Sequence, residues 1–323
     1  MFTVICSEIA AILIFFYAIH RFSKIIARCN IHALKFFFAK ITNNPIKSMF
    51  VGAGAAGLMQ SNKAVSSIAL TLVNAGAITA ISSLPILFGT PIGSASTAFL
   101  VSMKLENLEE ILIIIGAIIK KTKYKNIGHI IFYLGLLLFS LELMSKATFS
   151  LREEQWFRDI FLLSNNIVVL FLMGLTMSFV LQSGALTVSI ITILVNYSVL
   201  PLYNSIAIGI GVTVGSTLSL IIVSYSMNAE AKKACYIHLI IVAIFGILAL
   251  PFTNVFAIIG SNFHGGMGFA VGNFASRIFI SIFGYLTLYI ILKFRIHENS
   301  KIKAFIIKKA KTHMENFETN IKL

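Results

Sequence analysis

The chain has 323 residues, 58% of them hydrophobic and 12% charged, with a formal net charge of +14 and a mean hydropathy of +0.91. That composition excludes a soluble globular or disordered chain and identifies an integral membrane protein. Cys6, Cys29 and Cys235 are odd in number and lack metal-ligand spacing, which argues against a disulfide framework or a zinc site.

In chain order, apolar stretches of spanning or near-spanning length run over 3–19, 84–101, 105–119, 127–145, 202–226, 236–258 and 269–292. A crossing needs about 17 to 25 residues, so 105–119 is short. The first stretch has no basic residue before it and Arg21, Lys24 and Arg28 after it. This is the reverse of a cleaved signal peptide, so the stretch reads as a retained helix with its N-terminus outside. Two further regions, 48–80 and 167–200, hold too many Gly, Ser, Gln and Asn for simple lipid-facing spans. They read as re-entrant hairpins.

These two regions are copies of one another, offset by 122 residues without a gap. Gln60 to Asn74 reads QSNKAVSSIALTLVN, and Gln182 to Asn196 reads QSGALTVSIITILVN. The register continues through Asn43 and Asn44 with Asn165 and Asn166, Gly52 with Gly174, Ser83 with Ser205, Gly89 with Gly211, and Gly93-Ser94 with Gly215-Ser216. Between residues 52 and 102 about 15 of 51 positions match, several of them polar or Gly, so an internal duplication is expected.

Charge then orders the segments across the membrane. If the hairpins do not cross and the seven other stretches do, segments 20–47, 120–126, 228–235 and 293–323 share one side and carry 20 of the 26 Lys and Arg. The opposite side carries Lys104, Lys146, Arg152 and Arg158. By the positive-inside rule the basic side is cytoplasmic. The C-terminal basic stretch reads as a solvated anchor beside anionic lipid rather than a nucleic-acid site. One hairpin opens from the cytoplasm and the other from outside, so the repeats are inverted and their turns can meet at mid-depth.

A Gln-Ser pair at a helix break supplies a carboxamide, a hydroxyl and free backbone N–H groups. With two half-helix N-termini, that set suits phosphate, sulfate or carboxylate. Unwound carbonyls with Ser, Thr and Gln oxygens also suit Na⁺. The bland alternative is that small residues at 60–67 and 182–189 only permit close helix packing.

On these residues the chain resembles the sodium-dependent phosphate cotransporters, whose two inverted repeats each carry a QSSS signature. The likeness extends to TNNP at Thr42 to Pro45, to Gly52 and Gly174 eight residues before each Gln, and to GTPIGSAST at Gly89 to Thr97. GVTVGSTLS at Gly211 to Ser219 and GLLLFSLELMS at Gly135 to Ser145 complete it, so that most of residues 10–260 are covered. The resemblance implies substrate or ion contacts at Gln60, Ser61, Asn62, Lys63, Gln182 and Ser183. Ser94, Thr97, Ser216 and Ser219 are implied to stand behind them or at the Na⁺ positions. Gln182, Ser183, Ser216 and Ser219 retain oxygens for Na⁺.

The departures matter as well. QSSS has become Gln60-Ser61-Asn62-Lys63 and Gln182-Ser183-Gly184-Ala185, and the Asn of the later signature has become Pro91 or Thr213. An ammonium at Lys63 attracts an anion but repels Na⁺. It either replaces one Na⁺ or snorkels to the cytoplasmic surface. The stretch after Leu292 is too short for the soluble regulatory domain that bacterial relatives often add. Among other polar residues, Glu8 and Glu142 read as interfacial, His238 as a helix-end residue near the cytoplasmic boundary, and His264 as part of a flexible outer loop. Arg277 lies deeper and suits a buried Glu or a bound anion.

The expected fold is an all-α membrane protein of two inverted repeats, each with a re-entrant hairpin, and about seven crossing helices. Residues 1–126 form the first repeat, 127–260 the second, 261–292 a final helix and 293–323 a basic cytoplasmic tail. The expected function is non-enzymatic: secondary active transport of inorganic phosphate coupled to sodium. The lipid bilayer is the further partner, with no nucleic acid and no cofactor beyond the coupling ion, and homo-oligomerisation stays open. Two alternatives also stay open, a non-transporting membrane scaffold with a degenerate site and a transporter of another small anion without sodium coupling.

Overall fold

The computed structural model describes residues 2–41, 44–103, 108–151 and 166–298. Thr42, Asn43, Lys104, Arg152, Arg158, Asn165 and the tail from residue 299 onward lie outside the described residues. The described residues are helical, with no strand among them. In chain order the helices are α1 (Phe2–Ile41), α2 (Pro45–Met59), α3 (Asn62–Asn74), α4 (Ala80–Ser94), α5 (Ser96–Ser102), α6 (Leu108–Ile119) and α7 (Lys125–Leu151). There follow α8 (Ile167–Val180), α9 (Gly184–Asn196), α10 (Leu202–Leu218), α11 (Leu220–Ser224), α12 (Ala229–Ala249), α13 (Thr253–Ser261) and α14 (Gly265–Glu298), with a 3₁₀ turn at Leu250–Phe252.

Both polar regions fold as helical hairpins, and the local chemistry of each copy is the same. Asn44 caps α2 by accepting from the Lys47 N–H at 3.1 Å, and Asn166 caps α8 by accepting from the Val168 N–H at 2.9 Å. Each hairpin turns on its Gln-Ser pair. Gln60 and Gln182 adopt left-handed backbone with φ of 51° and 52°, which ends the first helix. Ser61 and Ser183 are extended and cap the second helix, accepting from Ala64 and Leu186 N–H at 3.2 Å. Left-handed backbone is unfavourable for Gln. Its carboxamide offsets this by donating back to the chain, from Gln60 Nε2 to Gly57 O and from Gln182 Nε2 to Phe179 O, both at 2.6 Å.

The arms of the hairpins hold 13 to 15 residues, about 20 Å at 1.5 Å per residue, too short to cross a hydrocarbon core of about 30 Å. Each lies along the helix that follows it. A Cβ at Gly52, Gly89 or Gly93 would collide with backbone of the facing α4 or α2, and a Cβ at Gly174, Gly211 or Gly215 would do the same between α8 and α10. The duplicated glycines therefore allow backbone-to-backbone approach of each hairpin to its partner helix.

Among the described residues, six helical runs are long and apolar enough to cross: Cys6–Ile26, Ala80–Ser102, Lys125–Ser150, Leu202–Ser224, Ala229–Ser261 and Gly265–Lys293. The expected seventh crossing, at 105–119, is α6, whose 12 described residues cover only about 18 Å. Even so, the chain changes ends there. Ser102 meets Met267 in the first turn of α14, while Gly128, near the N-terminal end of α7, packs on Lys120. The opposite end of α7 carries Phe149, whose ring lies 5.8 Å from that of Tyr197 at the base of the second hairpin.

The hairpin bases lie at opposite ends of the 33-residue run Ala229–Ser261. Asn74, the last residue of α3, accepts from the Asn228 backbone N–H at 2.6 Å, just ahead of α12. Asn196, the last residue of α9, accepts from Gly266 N–H at 2.7 Å, just beyond α13. The tips meet between these ends. Around the hairpins, Phe50, Leu58, Val180, Ile244, Phe283 and Ile290 are exposed apolar side chains of the kind that faces lipid.

Candidate functional site

A cavity of about 480 Å³ lies where the hairpin tips meet α1, the break between α4 and α5, the break between α10 and α11, and α14. Of the residues singled out in the sequence, Gln60, Ser61, Asn62, Lys63, Gln182, Ser183, Ser94, Ser216 and Ser219 line it. Thr97 does not. It stands behind the first tip and donates to Gln60 Oε1 at 2.8 Å.

The tips are joined directly. Lys63 Nζ, on the first hairpin, donates to Gln182 Oε1 on the second at 2.6 Å. Asn62 Nδ2 donates to Ser216 Oγ at 3.0 Å. Lys63 thus points across the cavity and does not snorkel to the surface. The four residues with oxygens for Na⁺ are already engaged: Gln182 by Lys63, Ser183 as a helix cap, Ser216 by Asn62, and Ser219 as a donor to Ser216 O at 2.7 Å.

Arg277 completes the lining from α14. It is only 3% exposed and meets no carboxylate among the described residues. One terminal nitrogen donates to Ser94 Oγ at 2.7 Å and to Pro91 O at 3.1 Å. Nε points to Asn273 Oδ1 at 3.4 Å. The Pro91 carbonyl is available because the helix breaks at Ala95, whose N–H turns back to Ile92. The other terminal nitrogen has no hydrogen bond among the described residues, leaving a charged donor for a guest.

Lys63 and Arg277 are both cationic, and among the described residues no Asp or Glu lines the cavity. The N-terminal turns of α3 and α9 add partial positive charge at the tips. Such a site attracts anions and disfavours free cations. Sequence reasoning had marked Arg277 as an ionisable residue deep in a span without including it in the site. The α1 residues His20 and Ser23, which also line the cavity, carried no signal beyond following an apolar run.

One other expectation changes. His238 is not a helix-end residue, being 1% exposed, ten residues into α12, with its ring centroid 4.7 Å from that of Phe88 in an edge-to-face contact. Glu142 pairs with Lys146 at 2.5 Å on α7 and gathers with Glu109 and Glu110 of α6, away from the cavity.

Membrane-spanning helices around two short hairpins, with tips closing on a polar and cationic cavity, define a multi-pass membrane protein built like a transport protein. A family described as Na⁺/Pi-cotransporter matches residues 14–146 and 152–271, and the chain belongs to that family. Among curated relatives it is 22% identical over 215 residues to the Bacillus subtilis protein called "Uncharacterized protein YqeW", covering 65% of this chain and 70% of that one. It is 25% identical over 211 residues to the Escherichia coli "Putative inorganic phosphate export protein YjbB", covering 64% of this chain and 39% of the relative. The Salmonella typhimurium protein of the same name matches to the same extent. The chain thus spans well under half the length of the relatives named for export. No solved structure matches significantly.

Proposed function

We propose that the protein moves inorganic phosphate across a cell membrane by alternating access at the cavity between two inverted repeats, residues 1–126 and 127–260. In this reading the N-terminus is outside and the C-terminus cytoplasmic. One observation carries it: the cavity's formally charged lining residues, Lys63 and Arg277, are both cationic. Phosphate presents a tetrahedral array of acceptors, which fits the unpaired Arg277 nitrogen, the Lys63 ammonium and the hydroxyls of Ser61 and Ser183. The hairpin bases at opposite ends and the tips in contact support alternating access, because rocking one hairpin assembly against the other opens the cavity to each side in turn.

A scaffold with a degenerate site would fill the space between the tips with apolar side chains. Here that space is an open cavity lined by the polar side chains of both tips together with Phe16, Ile19 and Leu181, which favours transport. The family's description names Na⁺, and Gln182, Ser183, Ser216 and Ser219 carry the oxygens that a coupling Na⁺ would need, although each is engaged within the protein here. The test is uptake of labelled phosphate into proteoliposomes containing the purified protein, with and without an imposed Na⁺ gradient. Flux above that of empty liposomes supports the reading, and flux equal to theirs sinks it.

A further inference from the structure

The two copies of the Gln-Ser turn are alike in backbone but unlike in how the carboxamide oxygen is satisfied. In both, Nε2 is committed to a backbone carbonyl, so Oε1 must face away from it. In the first copy Oε1 accepts from the Thr97 hydroxyl at 2.8 Å. The matching residue of the second copy, Ser219, instead donates to Ser216 O. Gln182 Oε1 is left facing the cavity, and the Lys63 ammonium takes it at 2.6 Å. Among the described residues no carboxylate lines the cavity to compensate that charge, so the ammonium has a neutral oxygen and the space for a guest anion as its surroundings.

We propose that the Lys63 ammonium, tethered to the first hairpin, stands in the cation position of the second hairpin at Gln182 Oε1, so that anion movement does not require Na⁺ there. The proposal rests on the reading of this cavity as an anion site. A carboxamide oxygen facing a cavity at a helix break is a ligand for a hard cation, and an ammonium satisfies it with a hydrogen bond in place of coordination. Two unit charges about 4 Å apart at an effective dielectric near 20 repel enough to lower occupancy by a second cation roughly a thousandfold before screening. The same fixed charge favours the anion. It also ties hairpin to hairpin, so a bound anion and the tip-to-tip bond draw on one group.

The test has two arms, both with the purified 323-residue chain. Thermal unfolding in detergent is followed in NaCl, KCl and choline chloride at equal ionic strength, for wild type, Lys63→Ser and Lys63→Arg. Labelled phosphate uptake by proteoliposomes is measured in the same salts. Wild type and Lys63→Arg are expected to unfold at the same temperature in all three salts and to show no Na⁺ dependence of uptake. Lys63→Ser, with Gln182 Oε1 vacated and a hydroxyl beside it, is expected to gain Na⁺-specific stabilisation and about tenfold or greater Na⁺ dependence of uptake. Wild type stabilised by Na⁺ over K⁺, or Lys63→Ser indifferent to Na⁺, overturns the proposal. If Lys63→Ser does not fold, the wild-type and Lys63→Arg comparisons still decide. Absence of phosphate flux in every salt sinks the phosphate reading alone, because the unfolding arm judges Lys63 without it.

Discussion

Replacing Arg277 by Met separates what this residue does for an anion from what it does for the fold. Its guanidinium lines the cavity, holds Ser94 and Pro91 with one nitrogen and leaves the other terminal nitrogen without a hydrogen bond among the described residues. Hydrogen bonds to charged groups contribute about 1.5 to 3 kcal/mol, so losing one to bound phosphate weakens affinity roughly 10- to 150-fold. For stability the terms oppose one another. Removing a buried cation without an acidic partner relieves a desolvation cost, while Ser94 and the Pro91 carbonyl lose a donor at about 1 to 3 kcal/mol. The unfolding temperature without ligand should therefore move little. The response to phosphate should collapse: at 100 times the wild-type Kd the ligand adds about 2.7 kcal/mol of stability, and a variant binding a hundredfold more weakly gains only about 0.4 kcal/mol. Thermal unfolding against phosphate concentration reads both quantities. Arg277→Lys, which keeps the charge without the planar fork, should fall between them. An Arg277→Met protein that keeps the full phosphate-dependent stabilisation would refute the assignment.

Gln182→Ala and Ser183→Ala should each reduce phosphate uptake strongly at matched expression, since each leaves buried or turn groups unsatisfied at about 1 to 3 kcal/mol; normal uptake by both removes the second tip from the mechanism. For topology, single cysteines at Asn126 and Ser261, in a background with Cys6, Cys29 and Cys235 changed to Ser, should be labelled by impermeant reagent from opposite faces, the first from the cytoplasm. Labelling from one face would mean a miscounted span. Gly174→Val should lower the unfolding temperature, because its Cβ would collide with the Ile208 carbonyl and overpacking costs about 1 to 3 kcal/mol. Gly54→Val, where a Cβ meets nothing within 4 Å, should not.

The sequence by itself determined the membrane class, the duplication and the place of each hairpin turn. These are local matters: a run of apolar residues is long enough to cross or it is not, and a Gln-Ser pair ends one helix and caps the next within a few residues. Asn44 and Asn166 were visible only as matched positions of the duplication; that each caps a helix came from the structure. The glycine pairs were visible as a pattern, but that each faces a particular carbonyl, as Gly52 faces Ile86 and Gly174 faces Ile208, is a fact of helix pairing. Tertiary structure alone decided the site's electrostatics. Arg277 reaches Ser94 from 183 residues away, and Lys63 reaches Gln182 from 119. No local pattern encodes such distances. Lys63 left two readings open in the sequence, across the cavity or toward the surface, because its own helix permits both; only the second hairpin, with an unclaimed carboxamide oxygen, decides between them. His238 was misjudged for a related reason, since its burial comes from Phe88 on a different helix.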